Sequence, residues 1–208
     1  LHTAYRRQRQ MCIRDRFNPV GGEERFWLGP EGGVFSLYFR QGEKQIYKNW
    51  KVPPVLDIEA FKIQSQSKNC ICLTKEGCLT NACGTTFYLN IKRTISLLDI
   101  NEFAASFNLE FPKDIKAVAY KSDNQITNIG NESWNKETGL ISVWMLSMFN
   151  PTSATTVFIP YKQSRKGKIV NDEYFGKIPT DRLIVKNGII YFKIDGCCLL
   201  YTSDAADD

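Results

Sequence analysis

Two short segments of the chain bring together side chains that commonly bind polar ligands. In the first, glycine pairs flank a charged and aromatic stretch in which Arg25 and Trp27 share one face if the segment is extended. An arginine donates paired hydrogen bonds, and a tryptophan ring presents a flat apolar surface. A ligand site is therefore predicted here, although a solvated strand face with an Arg–Glu pair explains the same pattern. The residues predicted to bind are Arg25, Trp27 and Glu31, and Glu24 is a weak catalytic candidate.

The second segment is predicted to be a loop, because Gly176 and Pro179 interrupt it. Loops held by a rigid scaffold concentrate binding groups. The alternative is a plain turn that is closed by the neighbouring Asp181 and Arg182. The residues predicted to bind are Asn171, Asp172, Tyr174, Lys177 and Arg182, and Asp172 is a second weak catalytic candidate.

Four isolated residues add to these segments. Trp134 lies in a polar stretch, where it is either a core residue or a stacking platform for a sugar ring. Trp144 lies in an apolar stretch, which favours a core position. Asp123 and Glu137 are weak candidates for acid–base or divalent-ion roles, and turn formation is the more common use of an Asp at a strand end.

The cysteines do not predict a metal site. Cys70, Cys72, Cys78 and Cys83 are spaced C-x-C-x5-C-x4-C, whereas structural zinc usually uses C-x2-4-C pairs. Buried free thiols are favoured, and a disulfide between strands stays open if the protein is exported. No cofactor is expected, because the common nucleotide, hydrolase and metalloprotease motifs are missing.

Composition limits the classes of protein further. The chain has 208 residues, 43% of them hydrophobic and 24% charged, with a formal net charge of +5. These values are typical of a globular protein. The basic residues are scattered among acids, so no nucleic-acid partner is predicted. No apolar run is long enough for a membrane-spanning helix.

The elements that must position these residues are mostly strands. Helical periodicity is confined to Leu97–Phe107, where Asp99 or Asn101 could cap a short helix. Asn187-Gly188 predicts a two-residue hairpin between the last two strands. About ten strands and little helix predict an all-β, sandwich-like fold. The predicted strands are 34–40, 61–66, 69–75, 85–95, 115–122, 139–148, 155–161, 182–186 and 189–194, and an extended Arg25–Leu28 would add one more.

Both ends of the chain resemble the translation of one DNA duplex, the adapter of a transposase-based sequencing library. Residues 1–16 match one strand of the adapter with its index, and residues 198–208 match the reverse complement. We therefore expect both ends to be artefacts and residues 17–197 to be an incomplete domain. Excluding them removes His2, the only histidine, and the basic stretch Arg6–Arg16 that would otherwise suggest nucleic-acid binding.

Three long strings carry a family resemblance: GGEERFWLGPEGGVFSLYF at Gly21–Phe39, the stretch Ala117–Pro151, and the stretch Ile169–Gly196. In these strings the chain resembles a family of uncharacterised bacterial proteins of the galactose-mutarotase-like, or aldose-epimerase-like, β-supersandwich class. The resemblance implies a partial antiparallel β-supersandwich cut from a longer protein. It also implies export to the periplasm or cell surface, because members are usually exported.

The resemblance also implies carbohydrate chemistry. Typical mutarotases are thought to use a Glu and a His, and the matching segment here, SVWMLSMFN, contains no His. The leading prediction is a carbohydrate-binding or carbohydrate-processing domain in which Arg25, Trp27 and the Asp172–Arg182 loop line a cleft. One alternative is a non-catalytic structural or glycan-recognition module. The other is a sugar epimerase or lyase that uses carboxylates as acid and base.

Overall fold

The computed structural model describes residues 24–112, 114–147, 149, 152–163, 167–172 and 177–195. Nine strands and two short α-helices lie in these ranges, so the predicted all-β class with little helix is confirmed. The strands are β1 (Glu24–Gly29), β2 (Lys62–Gln66), β3 (Cys70–Thr80), β4 (Thr86–Leu98), β5 (Ala119–Asn128), β6 (Ser142–Ser147), β7 (Thr156–Pro160), β8 (Leu183–Lys186) and β9 (Ile189–Lys193). The helices are α1 (Pro54–Asp57) and α2 (Ile100–Ser106), and Tyr47–Asn49 forms a 3₁₀ turn. No helix in the described ranges is long and apolar enough to cross a membrane.

The strands form three sheets in the order β1-β6, β2-β3-β4-β5 and β7-β9-β8. The described residues divide into two compact units: one contains those of 28–45 and 51–142, and the other contains those of 24–27, 46–50 and 143–195. The four-stranded sheet lies wholly in the first unit, and the β7-β9-β8 sheet lies in the second.

The four-stranded sheet is regular and antiparallel. Cys70 of β3 lies opposite Ser96 of β4, and the register continues without interruption to Thr80 opposite Thr86. Strand β4 pairs with β5 in the same way along ten residue pairs. Only β2 has an irregular register, between Ile63 and Ser65. The strictly alternating sequence of β4 explains this regularity, since alternation places one set of side chains on each face.

One face of this sheet carries the core of the first unit. Phe87, Leu89 and Ile91 of β4 are buried, and Leu79 of β3 lies beside them. Val55 of α1 packs directly over Gly77 of β3, where a Cβ would come within 2.4 Å of the valine. Gly77 is therefore the position that lets the short helix approach the sheet.

The predicted strand at residues 34–40 is wrong. This stretch turns instead, because the amide of Ser36 donates to the carbonyl of Gly33, at 3.1 Å. The Ser36 hydroxyl also donates to the carbonyl of Glu31 and accepts from the amide of Tyr38. These local bonds replace those of a strand ladder. Leu37, Tyr38 and Phe39 are then buried consecutively rather than alternately.

The predicted helix and hairpins are confirmed with shifted ends. Asp99 caps α2 by accepting from the amides of Asn101 and Glu102, but the helix begins only at Ile100 because β4 runs on to Leu98. The turn between β8 and β9 has positive φ at both Asn187 and Gly188, as a type I′ turn requires. The β2–β3 hairpin also forms where the sequence predicts it.

Candidate functional site

The structure brings Arg25 and Trp27 together on β1, as the extended segment predicts. The guanidinium of Arg25 lies 5.4 Å from the centroid of the Trp27 ring. The edge of Trp144 packs on the same tryptophan, with ring centroids 6.4 Å apart. Trp27 is only 4% exposed, so Arg25 is the more accessible group of the pair. Glu24 and Glu31 are half-buried nearby in sequence, and the role of this group in binding stays a prediction.

The second predicted segment separates into two ion pairs. The ammonium of Lys168 lies 3.0 Å from a carboxylate oxygen of Asp172. Its hydrogen bond lowers the pKa of Asp172 below the ordinary range, so this carboxylate suits a hydrogen-bond acceptor better than a general acid. Arg182, only 9% exposed, pairs with Asp195 and not with its neighbour in sequence. A turn does form, since the Arg182 amide donates to the Pro179 carbonyl at 3.0 Å, but among the described residues the Arg182 side chain pairs with Asp195 instead of Asp181.

The other residues predicted to bind a ligand are not members of the Lys168–Asp172 and Arg182–Asp195 ion pairs. Lys177 and Asn171 are exposed, and Tyr174 falls outside the described residues. Trp134 is half-buried and packs edge-on against the buried Phe87, with ring centroids 5.8 Å apart. Trp134 thus contacts the core and keeps part of its surface accessible. Glu137 is exposed in the same loop.

A shallow depression of about 400 Å³ lies beside the β8–β9 turn. It is lined by Tyr161, Gln163, Gly167, Ile169, Asn187 and Gly188. None of the residues predicted to bind a ligand contributes to it, so it does not unite the predicted segments.

Polar side chains line one face of the four-stranded sheet, the face opposite Phe87, Leu89 and Ile91. Alternation on β4 directs Phe87, Leu89 and Ile91 into the core, and it directs the intervening residues to the other face. Residues directly opposite each other on paired strands share a face, so the strand register extends this polar surface across all four strands. We call it the polar sheet face. Its polar members are Lys62, Ser65, Thr74, Glu76, Thr80, Thr86, Tyr88, Asn90, Lys92, Thr94, Ser96, Lys121, Asp123, Gln125 and Thr127.

Hydrogen bonds hold several of these side chains in place. The Asn90 amide donates to the Thr74 hydroxyl across the β3–β4 pair, at 3.1 Å. The Gln125 amide donates to the carboxylate of Asp123, at 3.1 Å. Asp123 therefore belongs to an ordered group on β5 rather than to a turn, contrary to the commoner role expected for it. The amide and carboxylate groups retain further acceptor and donor capacity.

One aromatic ring stands at the end of this face. Tyr88 is 55% exposed, and its ring lies close to Gly130, where a Cβ would be 3.4 Å from the ring. Gly130 therefore lies against one side of Tyr88, and over half of the tyrosine stays exposed. Tyr88 is followed along β4 by Asn90, Lys92 and Thr94 on the same face, each about 6.8 Å from the next. The alternation in the sequence predicts the buried residues of β4. It also predicts that the polar residues between them share the opposite face, a signal not used to choose site residues.

A buried lysine lies on the core face and was also missed. Lys75 is only 6% exposed, and its ammonium donates to the carbonyl of Glu59 at 2.7 Å. The same ammonium lies 4.2 Å from the centroid of the Phe61 ring. Burial lowers the pKa of Lys75, and the negative charge of Glu59 opposes the shift. Lys75 therefore ties the segment after α1 to the sheet.

The turn between β3 and β4 holds a thiol in a polar setting. Asn81, 1% exposed, accepts from the Cys83 thiol at 3.0 Å and from the Thr85 amide at 2.9 Å. A hydrogen bond with the Thr85 side chain is the main cause that lowers the pKa of Cys83. The expected buried free thiols are found only in part: all four described cysteines are free, but only Cys72 is buried. Within the described ranges no group of three potential ligands could hold a metal ion.

The chain matches the model of one known protein family. A family model matches residues 5–199, and the chain belongs to this family of unknown function, DUF6786. The match includes residues 5–16, whose origin in adapter DNA stays a prediction. No curated protein gives a significant match to the chain. No solved structure gives one either.

Proposed function

We propose that this chain is a carbohydrate-binding domain whose ligand lies on the polar sheet face. The observation that carries the proposal is the arrangement of hydrogen-bonding side chains in register across four strands, with an exposed tyrosine at one end. Saccharides present many hydroxyl groups together with apolar C–H faces. A surface that offers both complementary groups side by side suits such a ligand.

The hydrogen-bonding half of the surface has the necessary chemistry. Carboxylates accept hydrogen bonds from hydroxyls, and amide side chains both donate and accept. Asn90 and Asp123 are already oriented by Thr74 and Gln125, so ordering them on binding loses little further conformational freedom. Three half-buried side chains in the middle of the face, Asn90, Thr94 and Asp123, are where water would be displaced most completely.

The aromatic half is Tyr88. An exposed ring can stack on the C–H face of a sugar, and its hydroxyl can donate or accept. The sheet also provides a matched comparison, because Tyr120 of β5 lies on the opposite face, beside Leu97, and is 48% exposed. The two tyrosines are similarly accessible, but only Tyr88 lies among the polar groups of the proposed site.

A binding role is preferred to acid catalysis by Asp172, one of the two weak catalytic candidates. An epimerase needs one group that stays protonated to act as an acid. The hydrogen bond from Lys168 lowers the pKa of Asp172, which favours the ionised form. We also retain, as part of the proposal, the galactose-mutarotase-like class and export from the cell. The sequence resemblance and the antiparallel sheets support that class.

The test is a glycan-array screen of the intact chain, followed by titration calorimetry with the best saccharide. Replacing Tyr88 with Ala is expected to weaken binding about tenfold, because stacking and aromatic burial contribute about 1.4 kcal/mol. Tyr120→Ala is expected to bind like the wild type. Circular dichroism confirms that both variants fold. Equal losses in the two variants, or no saccharide bound by the folded chain, would overturn the proposal.

A further inference from the structure

We infer that the polar sheet face selects an acidic saccharide, with Lys92 as the residue that binds the anionic group. The inference rests on the proposed function and specifies its ligand class. Lys92 is half-buried in the third strand of the sheet, between Thr74 of β3 and Gln125 of β5. It therefore lies in the middle of the surface rather than at its edge.

Two carboxylates are within reach of Lys92 along the diagonals of the sheet, namely Glu76 of β3 and Asp123 of β5. Within the described ranges, neither forms an ion pair with it. Asp123 accepts from Gln125 instead. The ammonium carries three donors, and a half-buried cation without a counter-charge favours an anionic ligand.

A second cation lies in the same row of the sheet. Lys62 of β2 is opposite Thr74, and Thr74 is opposite Lys92. The two lysines are thus separated by two strand spacings, about 9.6 Å between their backbones. Lys62 is exposed, and no ion pair to it is found in the described part of the chain. Both cations face the same surface as Tyr88 and Asn90.

This arrangement favours a linear oligosaccharide that carries acidic groups on more than one unit. The hydroxyl groups would be bound by the amide and hydroxyl side chains between the lysines, and the acidic groups by the ammonium ions. The anionic group can be a uronic-acid carboxylate or a sulfate ester, since both accept charge-assisted hydrogen bonds.

The experiment compares three probes on the intact chain: a uronic-acid oligosaccharide, the same oligosaccharide with its carboxyl groups reduced to alcohols, and a sulfated neutral oligosaccharide. The acidic probes are expected to bind about tenfold more tightly than the reduced one, the size of one charge-assisted contact. Raising the salt concentration is expected to remove most of that difference, because salt screens partly exposed charges.

Two variants test whether Lys92 binds the anionic group. Lys92→Met is expected to lose most of the preference for the acidic probe, because only the exposed Lys62 then remains to bind an anionic group. Lys116→Met removes the same charge from an exposed loop position and is expected to keep the preference. Preference for the reduced probe, no preference in the wild type, or a preference that Lys92→Met leaves undiminished would overturn the inference while the carbohydrate proposal stands. Failure of all three probes, together with an empty glycan array, would instead overturn the proposed function.

Discussion

Replacing Asn81 with Ala should destabilise the unit that carries the proposed site. Asn81 is 1% exposed at the end of β3. Its amide donates to the carbonyl of Thr138 at 2.9 Å, which ties the β3–β4 turn to a loop 57 residues away. Its carbonyl oxygen accepts from the Thr85 amide and the Cys83 thiol. The alanine variant loses all three bonds at once.

The magnitude follows from what the variant leaves behind. The Thr85 amide and the Thr138 carbonyl lose their side-chain partner, and both residues are only half-buried, so water reaches them in part. At about 1 kcal/mol for each lost bond, the expected loss is about 3 kcal/mol. That is a large share of the stability of a small domain, typically about 5–15 kcal/mol.

Urea unfolding of the intact chain, followed by circular dichroism, measures this loss. Asn90→Ala is the matched control, because Asn90 is half-buried in the same sheet and, among the described residues, its side chain bonds to Thr74 alone. We expect the control to lose about 1 kcal/mol or less. A loss below about 0.5 kcal/mol for Asn81→Ala, at an unchanged slope in urea, would show that the turn does not depend on these bonds.

Four further predictions follow from other features. Burial lowers the pKa of Lys75 below its ordinary value of 10.5, so the unfolded chain holds the extra proton and stability should rise with pH between the two values. Urea unfolding of Lys75→Met across the alkaline range should show no such rise, whereas Lys116→Met should keep it. The Thr85 side chain lowers the pKa of Cys83, so Thr85→Val should slow iodoacetamide labelling of Cys83 but not of the exposed Cys78, by mass spectrometry; equal slowing would count against it. Gly188 and Gly42 have φ of +78° and +77°, but only Gly188 has a neighbour near its Cβ position, the flexible end of Gln163. Alanine at either position should lower the melting temperature by a similar amount, equivalent to about 1 kcal/mol, and a much larger loss at Gly188 would show that the contact with Gln163 dominates. Long-read sequencing of the source DNA should replace residues 1–16 and 198–208 with genomic sequence, and their persistence would refute the adapter interpretation.

The sequence predicts the sheets well where local signals agree. Alternating residues in β4 and the Asn187-Gly188 turn specify pairing without help from distant contacts. The stretch 34–40 shows the opposite case, because a single serine hydroxyl bonds to backbone groups on both sides and turns an apolar run away from the strand conformation.

The polar sheet face and the Arg182–Asp195 pair depend on how strands pair with each other, which no single stretch of sequence reveals. Asp195 lies beside Arg182 because Lys193 bonds back to Arg182 across the β8–β9 hairpin, so their partnership follows from register and not from adjacency. In the same way, Thr74, Lys92 and Gln125 come into one row only when three strands are aligned. A cluster of residues that are contiguous in sequence can therefore be predicted directly. A surface assembled from several strands can be predicted only when the strand register is known.

Binding of a saccharide to the polar sheet face is tested most directly by NMR of the intact chain with isotope-labelled tyrosine rings. The chain is titrated with a saccharide selected on the glycan array. The signals of Tyr88 and Tyr120 are assigned by replacing each with Phe. Binding on the polar sheet face predicts that the Tyr88 ring signals shift with the saccharide concentration while those of Tyr120 stay in place. If a saccharide binds but the Tyr88 ring signals do not shift, the proposed binding surface is wrong.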